Sequence, residues 1–74
     1  MFNFSVKLKE LRLNNDLTQK QLAKNICVGE RSIQDYEYGN RKPNYDAIIK
    51  LADYFDVSTD YLLGRTDNPN SHKL

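Results

Sequence analysis

The chain is poor in almost everything from which chemistry is built. Its one cysteine, Cys27, has no second thiol with which to close an internal disulfide. Its one histidine, His72, supplies neither a metal set nor a catalytic dyad. There is no phosphate-cradling glycine loop and no nucleophile–base pair, so an enzyme is not expected, nor is a cofactor, a metal or a small-molecule ligand. No apolar run approaches the roughly 18 residues of a membrane span, and no charged-then-apolar secretion signal opens the chain. A cytoplasmic protein without a membrane partner is the expectation. Strand signals are missing too, with no alternating run and no Asn-Gly turn. At 74 residues the chain is one domain, near the lower limit for a core that stands without metal or disulfide.

What is present is helix punctuation at short intervals. Phe4, Leu8 and Leu11 predict a first helix from about Ser5 to Asn14, ended by Asn15-Asp16, residue types that tolerate a left-handed exit. Thr18 and Gln21 make a capping box for helix 2, about 18–26, with Leu17 and Leu22 as its hydrophobic staple. Leu22, Ala23 and Ile26 form its inward face. Helix 3, about 30–38, follows Gly29, a weaker cap; Val28 and Ile33 repeat the staple, Gly39 stops the helix and Pro43 blocks continuation. Asn44 opens helix 4, where Ile48, Leu51, Ala52 and Phe55 fall at i, i+3, i+4 and i+7. Ser58 caps a short helix 5, stapled by Val57 and Leu62 and ended by Gly64. Residues 1–65 read as one domain, and 66–74 as a frayed polar tail or the start of a linker. The fold expected is all-α, a compact bundle of five short helices.

The stretch from Leu17 to Pro43 carries the functional signal. Two short helices joined by a tight turn are the geometry by which a small protein pushes a helix end into the DNA major groove. A net charge of +1 does not advertise nucleic acid, but its distribution is uneven. Residues 1–45 carry eight Lys or Arg against five Asp or Glu, whereas residues 46–67 carry Lys50 and Arg65 against five aspartates. One half can face phosphates while the other faces solvent or a partner.

At these residues the chain resembles the lambda-repressor-like, XRE-type helix-turn-helix family. The likeness runs from Leu8 to Pro69. It rests on Leu11-Arg12, Leu17-Thr18-Gln19, Leu22-Ala23, Val28, Ile33, Tyr36-Glu37, Gly39, Pro43, Leu51-Ala52 and Val57-Ser58, in order and at the right spacing. The ending Asp60-Tyr61-Leu62-Leu63-Gly64-Arg65-Thr66-Asp67 is similar to the domain exit of phage and mobile-element repressors. The resemblance implies a five-helix fold with helix 3 as the recognition helix. It also implies an Arg–Glu bridge from helix 1 to helix 3, for which Arg12 and Glu37 both stand on inward-leaning faces. The alternative for that pair is two solvated surface charges.

With helix 3 in the major groove, the outward positions Glu30, Arg31, Ser32, Gln34 and Asp35 are the expected base contacts, while Ile33 and Tyr36 face the core. Arg31 suits guanine O6 and N7, Glu30 or Asp35 a cytosine N4, and Gln34 either adenine or the backbone. The resemblance puts phosphate contacts at Gln19, which opens helix 2, and at Lys20, Asn40, Arg41 and Lys42 on either side. Tyr45, Tyr54, Tyr61 and Leu63 are candidate dimer anchors, with completion of the core as the alternative.

Three departures from the family pattern stand out. Cys27 replaces the usual turn glycine, so a positive φ there stores about 1–3 kcal/mol. Gly29 replaces a hydroxyl cap. Helix 3 sets Glu30, Asp35 and Glu37 against Arg31 alone, a slightly acidic reading face with a shallow salt dependence. Cys27 reads as a small buried apolar residue, with a reactive thiol near a helix N-terminus as the alternative. The function expected is a sequence-specific transcriptional regulator, a repressor from a phage or mobile element. It binds a two-fold double-stranded DNA operator as a homodimer, one that forms off DNA or only on it. The alternative, supported by the acidic helix 3, is a protein-interaction module such as an antitoxin or antirepressor partner that has lost DNA binding.

Overall fold

The computed structural model describes residues 4–69; the first three residues and the end of the tail, including His72, lie outside them. Five α-helices follow in order: α1 Phe4–Asn14, α2 Gln19–Asn25, α3 Glu30–Tyr38, α4 Tyr45–Phe55 and α5 Thr59–Leu62. Among the described residues there is no strand.

Local chemistry explains the starts. Thr18 and Gln21 close a full capping box, with Thr18 Oγ1 accepting from the Gln21 amide and Gln21 Oε1 from the Thr18 amide (3.0 and 2.9 Å). Asn44 and Ser58 cap α4 and α5 by accepting from the amides of Ala47 and Tyr61. Gly29, at φ −74° and ψ 148°, caps α3 with no side chain, and its carbonyl accepts from the Ser32 amide at 3.0 Å.

The stops share one device. Asp16, Cys27, Gly39, Asp56 and Gly64, one after each helix, hold φ between 56° and 78°. Left-handed exits like these fold the chain back on the helix just left. Two use glycine and two use aspartate, which tolerates this region. Cys27 is the exception. At φ 61° it points into solvent, so the expectation of a small buried apolar residue is corrected. Asp16 and Asp56, at exits of the same kind, are exposed as well.

The core joins Phe4 and Leu8 of α1 to Leu22, Ala23 and Ile26 around α2, Ile33 and Tyr36 of α3, Ala47, Leu51 and Ala52 of α4, and Leu62 of α5. Phe4 and Tyr36 meet edge to face at 6.0 Å. Two stripes run differently from expectation. In α1 the innermost line is Phe4, Leu8 and Arg12 at four-residue steps, with Leu11 on its flank. In α4 Ala47 joins Leu51 and Ala52 in the core, and Ile48 and Phe55 are half-buried. The tail also departs from a frayed reading. The Pro69 carbonyl accepts from the Ser58 amide at 2.6 Å, and Thr66 Oγ1 from the Asn68 amide at 3.2 Å, so residues 66–69 turn back onto the start of α5.

Candidate nucleic-acid interface

The sequence from Leu17 onward fixes α3 at one angle. Leu22 and Ala23 of α2 and Ile33 of α3 are buried together, and the Val28 amide donates to the Ala23 carbonyl at 2.9 Å, locking the turn between the helices. On the far side, Ser5 Oγ donates to the Tyr36 carbonyl at 2.5 Å.

The strongest tie is ionic. Arg12 Nε and Nη2 donate to the two carboxylate oxygens of Glu37 at 2.6 and 3.0 Å, a bidentate pair. A third donor, Nη1, reaches the Leu17 carbonyl at 2.8 Å. Arg12 thus joins α1, the segment entering α2, and α3. The side chain of Glu37 is only 2% exposed, so the pair is internal rather than two solvated charges. The Glu37 hydrogen bond holds the Arg12 pKa above the ordinary arginine value, against an opposing pull from burial.

With Ile33 and Tyr36 pinned inward, the front of α3 is presented outward. The Arg31 side chain is 82% exposed, Glu30 is exposed, and Ser32 and Gln34 are half-buried. Gln34 Nε2 lies 3.5 Å from Glu30 Oε2, at the limit of a hydrogen bond, and so is loosely held. Asp35 is a different case. Its side chain is 16% exposed, and its two oxygens accept from two arginines, Arg31 Nε at 3.2 Å and Arg41 Nη2 at 3.3 Å. The free carboxylate expected at a base edge is therefore already engaged.

Arg41, a phosphate candidate, is exposed and packs along the helix it follows. Its guanidinium lies 5.7 Å from the Tyr36 ring centroid and 3.5 Å from Ser32 Oγ, folded back along α3. The cause is Gly39: its left-handed turn sends the Asn40 and Arg41 amides back to the Asp35 carbonyl, at 2.9 and 3.3 Å. Arg41 therefore joins the face of α3, and the expected acidic surplus is corrected. Glu37 is neutralised inside by Arg12, while Arg31 and Arg41 balance Glu30 and Asp35 outside.

Among the other phosphate candidates, Lys20, Asn40 and Lys42 are exposed. Gln19 is half-buried and donates from Nε2 to Glu37 Oε1 at 3.2 Å, so the inner pair reaches the start of α2 as well.

Two of the four dimer candidates share a groove. Tyr45, 77% exposed, and half-buried Leu63 share an apolar groove of about 440 Å³ with Ile48, Ile49 and Val57. Tyr54 and Tyr61 lie outside it. Tyr54 accepts from Asn25 Nδ2 at 2.9 Å and packs edge to face on Phe55, and Tyr61 lies under the Lys7 ammonium, 4.5 Å from its ring centroid.

Comparison with known proteins finds the same all-helical fold. The helix-turn-helix family profile matches residues 8–62, well over half of the chain. The chain belongs to this family, the lambda-repressor-like one. It is 42% identical over 64 residues to the HTH-type transcriptional regulator YobD of Bacillus subtilis, covering 86% of this chain and 57% of that protein. It is 32% identical over 71 residues to the cryptic phage CTXphi transcriptional repressor RstR of Vibrio cholerae, covering 96% of this chain and 64% of that one. A crystal structure of a transcriptional regulator from Listeria innocua superposes with a TM-score of 0.82 at 32% identity, over 89% of this chain and 62% of that one. The chain thus spans little more than half the length of these relatives. Among the described residues no helix is long and apolar enough to cross a membrane.

Proposed function

We propose that the chain is a sequence-specific DNA-binding module of a transcriptional regulator, a repressor of phage or mobile-element type. The front of α3 enters the major groove of double-stranded DNA. The observation that carries this reading is the exposure of Glu30 and Arg31 on a helix whose opposite face is clamped by Ile33, Tyr36 and the internal Arg12–Glu37 pair. A protruding helix end at a fixed angle is what base readout needs. Likeness to a phage repressor supports the biological setting.

Glu30, Arg31, Ser32 and Gln34 are the base-reading positions, and Gln19, Lys20, Asn40 and Lys42 hold the phosphates on either side. The regulator binds as a homodimer, with half-sites roughly 34–36 Å apart or a multiple of that. Tyr45 and Leu63, which share the α4–α5 groove, are the better placed of the candidate dimer anchors. Nothing in the geometry favours a partner module that has lost DNA binding, since the acidic surplus behind that reading is cancelled.

The test is selection of bound duplexes from a random pool, followed by titration at low and moderate salt. A two-fold consensus, two chains per duplex and affinity that falls with salt are expected. Failure to enrich any sequence, with no salt-dependent binding to random duplex, overturns the proposal.

A further inference from the structure

The carboxylate of Asp35 stands between two arginines on the face of α3, and the atoms used are specific. Arg31 donates through Nε, 3.2 Å from Asp35 Oδ1. That leaves both Nη groups, the pair a guanine takes through O6 and N7. Arg41 is engaged differently, with Nη2 on Asp35 Oδ2 and Nη1 on Ser32 Oγ, and its guanidinium near the Tyr36 ring. The Asp35 carbonyl also receives the Asn40 and Arg41 amides, so the residue to which Gly39 returns the loop is the one whose carboxylate meets Arg41. The Asp35 side chain, 16% exposed, thus accepts from Arg31 on one oxygen and from Arg41 on the other.

We infer that Asp35 is a positioning residue for base recognition: held by Arg41, it orients the Arg31 guanidinium with its Nη edge free to read a guanine. The inference rests on the proposed DNA-binding function and gives Asp35 a role other than direct contact with a base. A long arginine side chain free to sample its rotamers reads a base poorly, because the geometry must be fixed at the moment of binding. A carboxylate on Nε removes that freedom without occupying the reading edge.

Two measurements on the whole chain test this. The first needs no DNA: the arginine Nε–Hε resonances in a nitrogen–proton correlation spectrum of the wild type, Asp35→Asn and Arg41→Ala. The Arg31 Nε–H is expected to show the shift and slowed exchange of a hydrogen bond to carboxylate, lost in Asp35→Asn and weakened in Arg41→Ala, with helicity unchanged. The second uses duplexes selected from a random pool by the wild type, with every base pair then varied in turn. Arg31→Ala flattens preference at one or two base pairs. Asp35→Asn is expected to reduce preference at those same pairs, on the order of three- to tenfold, part of what a bidentate guanine contact supplies. Affinity for random duplex holds or rises, since an acidic group has left the phosphate-facing side. The double variant is no worse than Arg31→Ala alone, as expected when one residue acts through the other.

Should Asp35→Asn change preference at a different base pair and add to Arg31→Ala, Asp35 reads a base itself and the inference fails. An unchanged preference profile makes it an ordinary surface ion pair and also overturns the inference. If the wild type binds no duplex, the DNA-binding proposal falls, and the resonance measurement still reports whether Asp35 holds Arg31.

Discussion

Two clusters of arginine and carboxylate sit on α3, and they differ in nearly everything except their chemistry. The inner one, Arg12 with Glu37, is largely buried, bidentate and extended by contacts to Leu17 and Gln19. The outer one, Arg31 with Asp35 and Arg41, is single-bonded at each link, with the Arg31 side chain 82% exposed. Burial multiplies the cost of breaking an ion pair, because the survivor is left without water or partner. Exposure lowers the cost and leaves the guanidinium available to a ligand. The inner cluster therefore sets the angle of α3, and the outer one what α3 presents.

The sharpest way to break this division is Arg12→Ala, which strands Glu37 inside the protein. A loss of about 3–5 kcal/mol is expected, read by chemical denaturation. Glu37→Gln costs less, because the amide can keep part of the hydrogen bonding. The raised Arg12 pKa gives the sign of the pH effect. A cation favoured in the folded state contributes fully below the ordinary arginine pKa and is lost only as pH climbs through the raised value. A loss for Arg12→Ala no larger than that of a surface pair would erase the distinction between the clusters.

Next in size is the effect of the outer cluster on recognition. Arg31→Ala is expected to remove about 1–3 kcal/mol of discrimination at one or two base pairs, read by competition binding to selected and varied duplexes. Lys42→Ala, on an exposed lysine outside the cluster, should instead weaken all sequences alike and reduce the slope of log affinity against log salt by about one unit. An exchange of these two signatures would move base reading off the front of α3.

How much of this was legible follows from the reach of each interaction. The caps at Thr18, Asn44 and Ser58 close within three residues, so sequence order alone exposes them. The exits Asp16, Gly39 and Gly64 are equally local. Arg12 with Glu37 spans 25 residues, and only the family resemblance implies it; periodicity alone puts Leu11 deeper. The fold-back of Arg41 has its signal in Gly39 but is not legible from it, because a left-handed exit fixes where the loop goes and not which carboxylate it meets. The return of Pro69 to Ser58 has no local signature at all. Residue type alone puts Cys27 inside, whereas the structure has it exposed. The backbone angle decides instead.

That same angle makes Cys27 a probe of the turn that holds both clusters in place. Glycine meets no steric penalty at φ 61°, whereas its looser unfolded chain offsets part of the benefit. Cys27→Gly is expected to stabilise the protein by about 1 kcal/mol, read as a shift of the denaturation midpoint with unchanged slope. Because the turn geometry is kept, base preference stays as it was. A destabilised Cys27→Gly would mean the thiol makes contacts worth more than the strain.

The smallest effect tests the comparison most directly. Asp35→Asn removes the charge that links Arg31 and Arg41, and both partners remain hydrated once it is gone. Its cost to folding should be about 0.2–1 kcal/mol and should shrink further in salt, as for other exposed pairs. The inner pair, shielded from ions, should keep its contribution across the same salt range. Denaturation curves of Asp35→Asn and Arg12→Ala at low and high salt set the two clusters side by side. Equal salt sensitivity would mean that water reaches Glu37, and the rigid presentation of α3 would then need another cause than the Arg12 bridge.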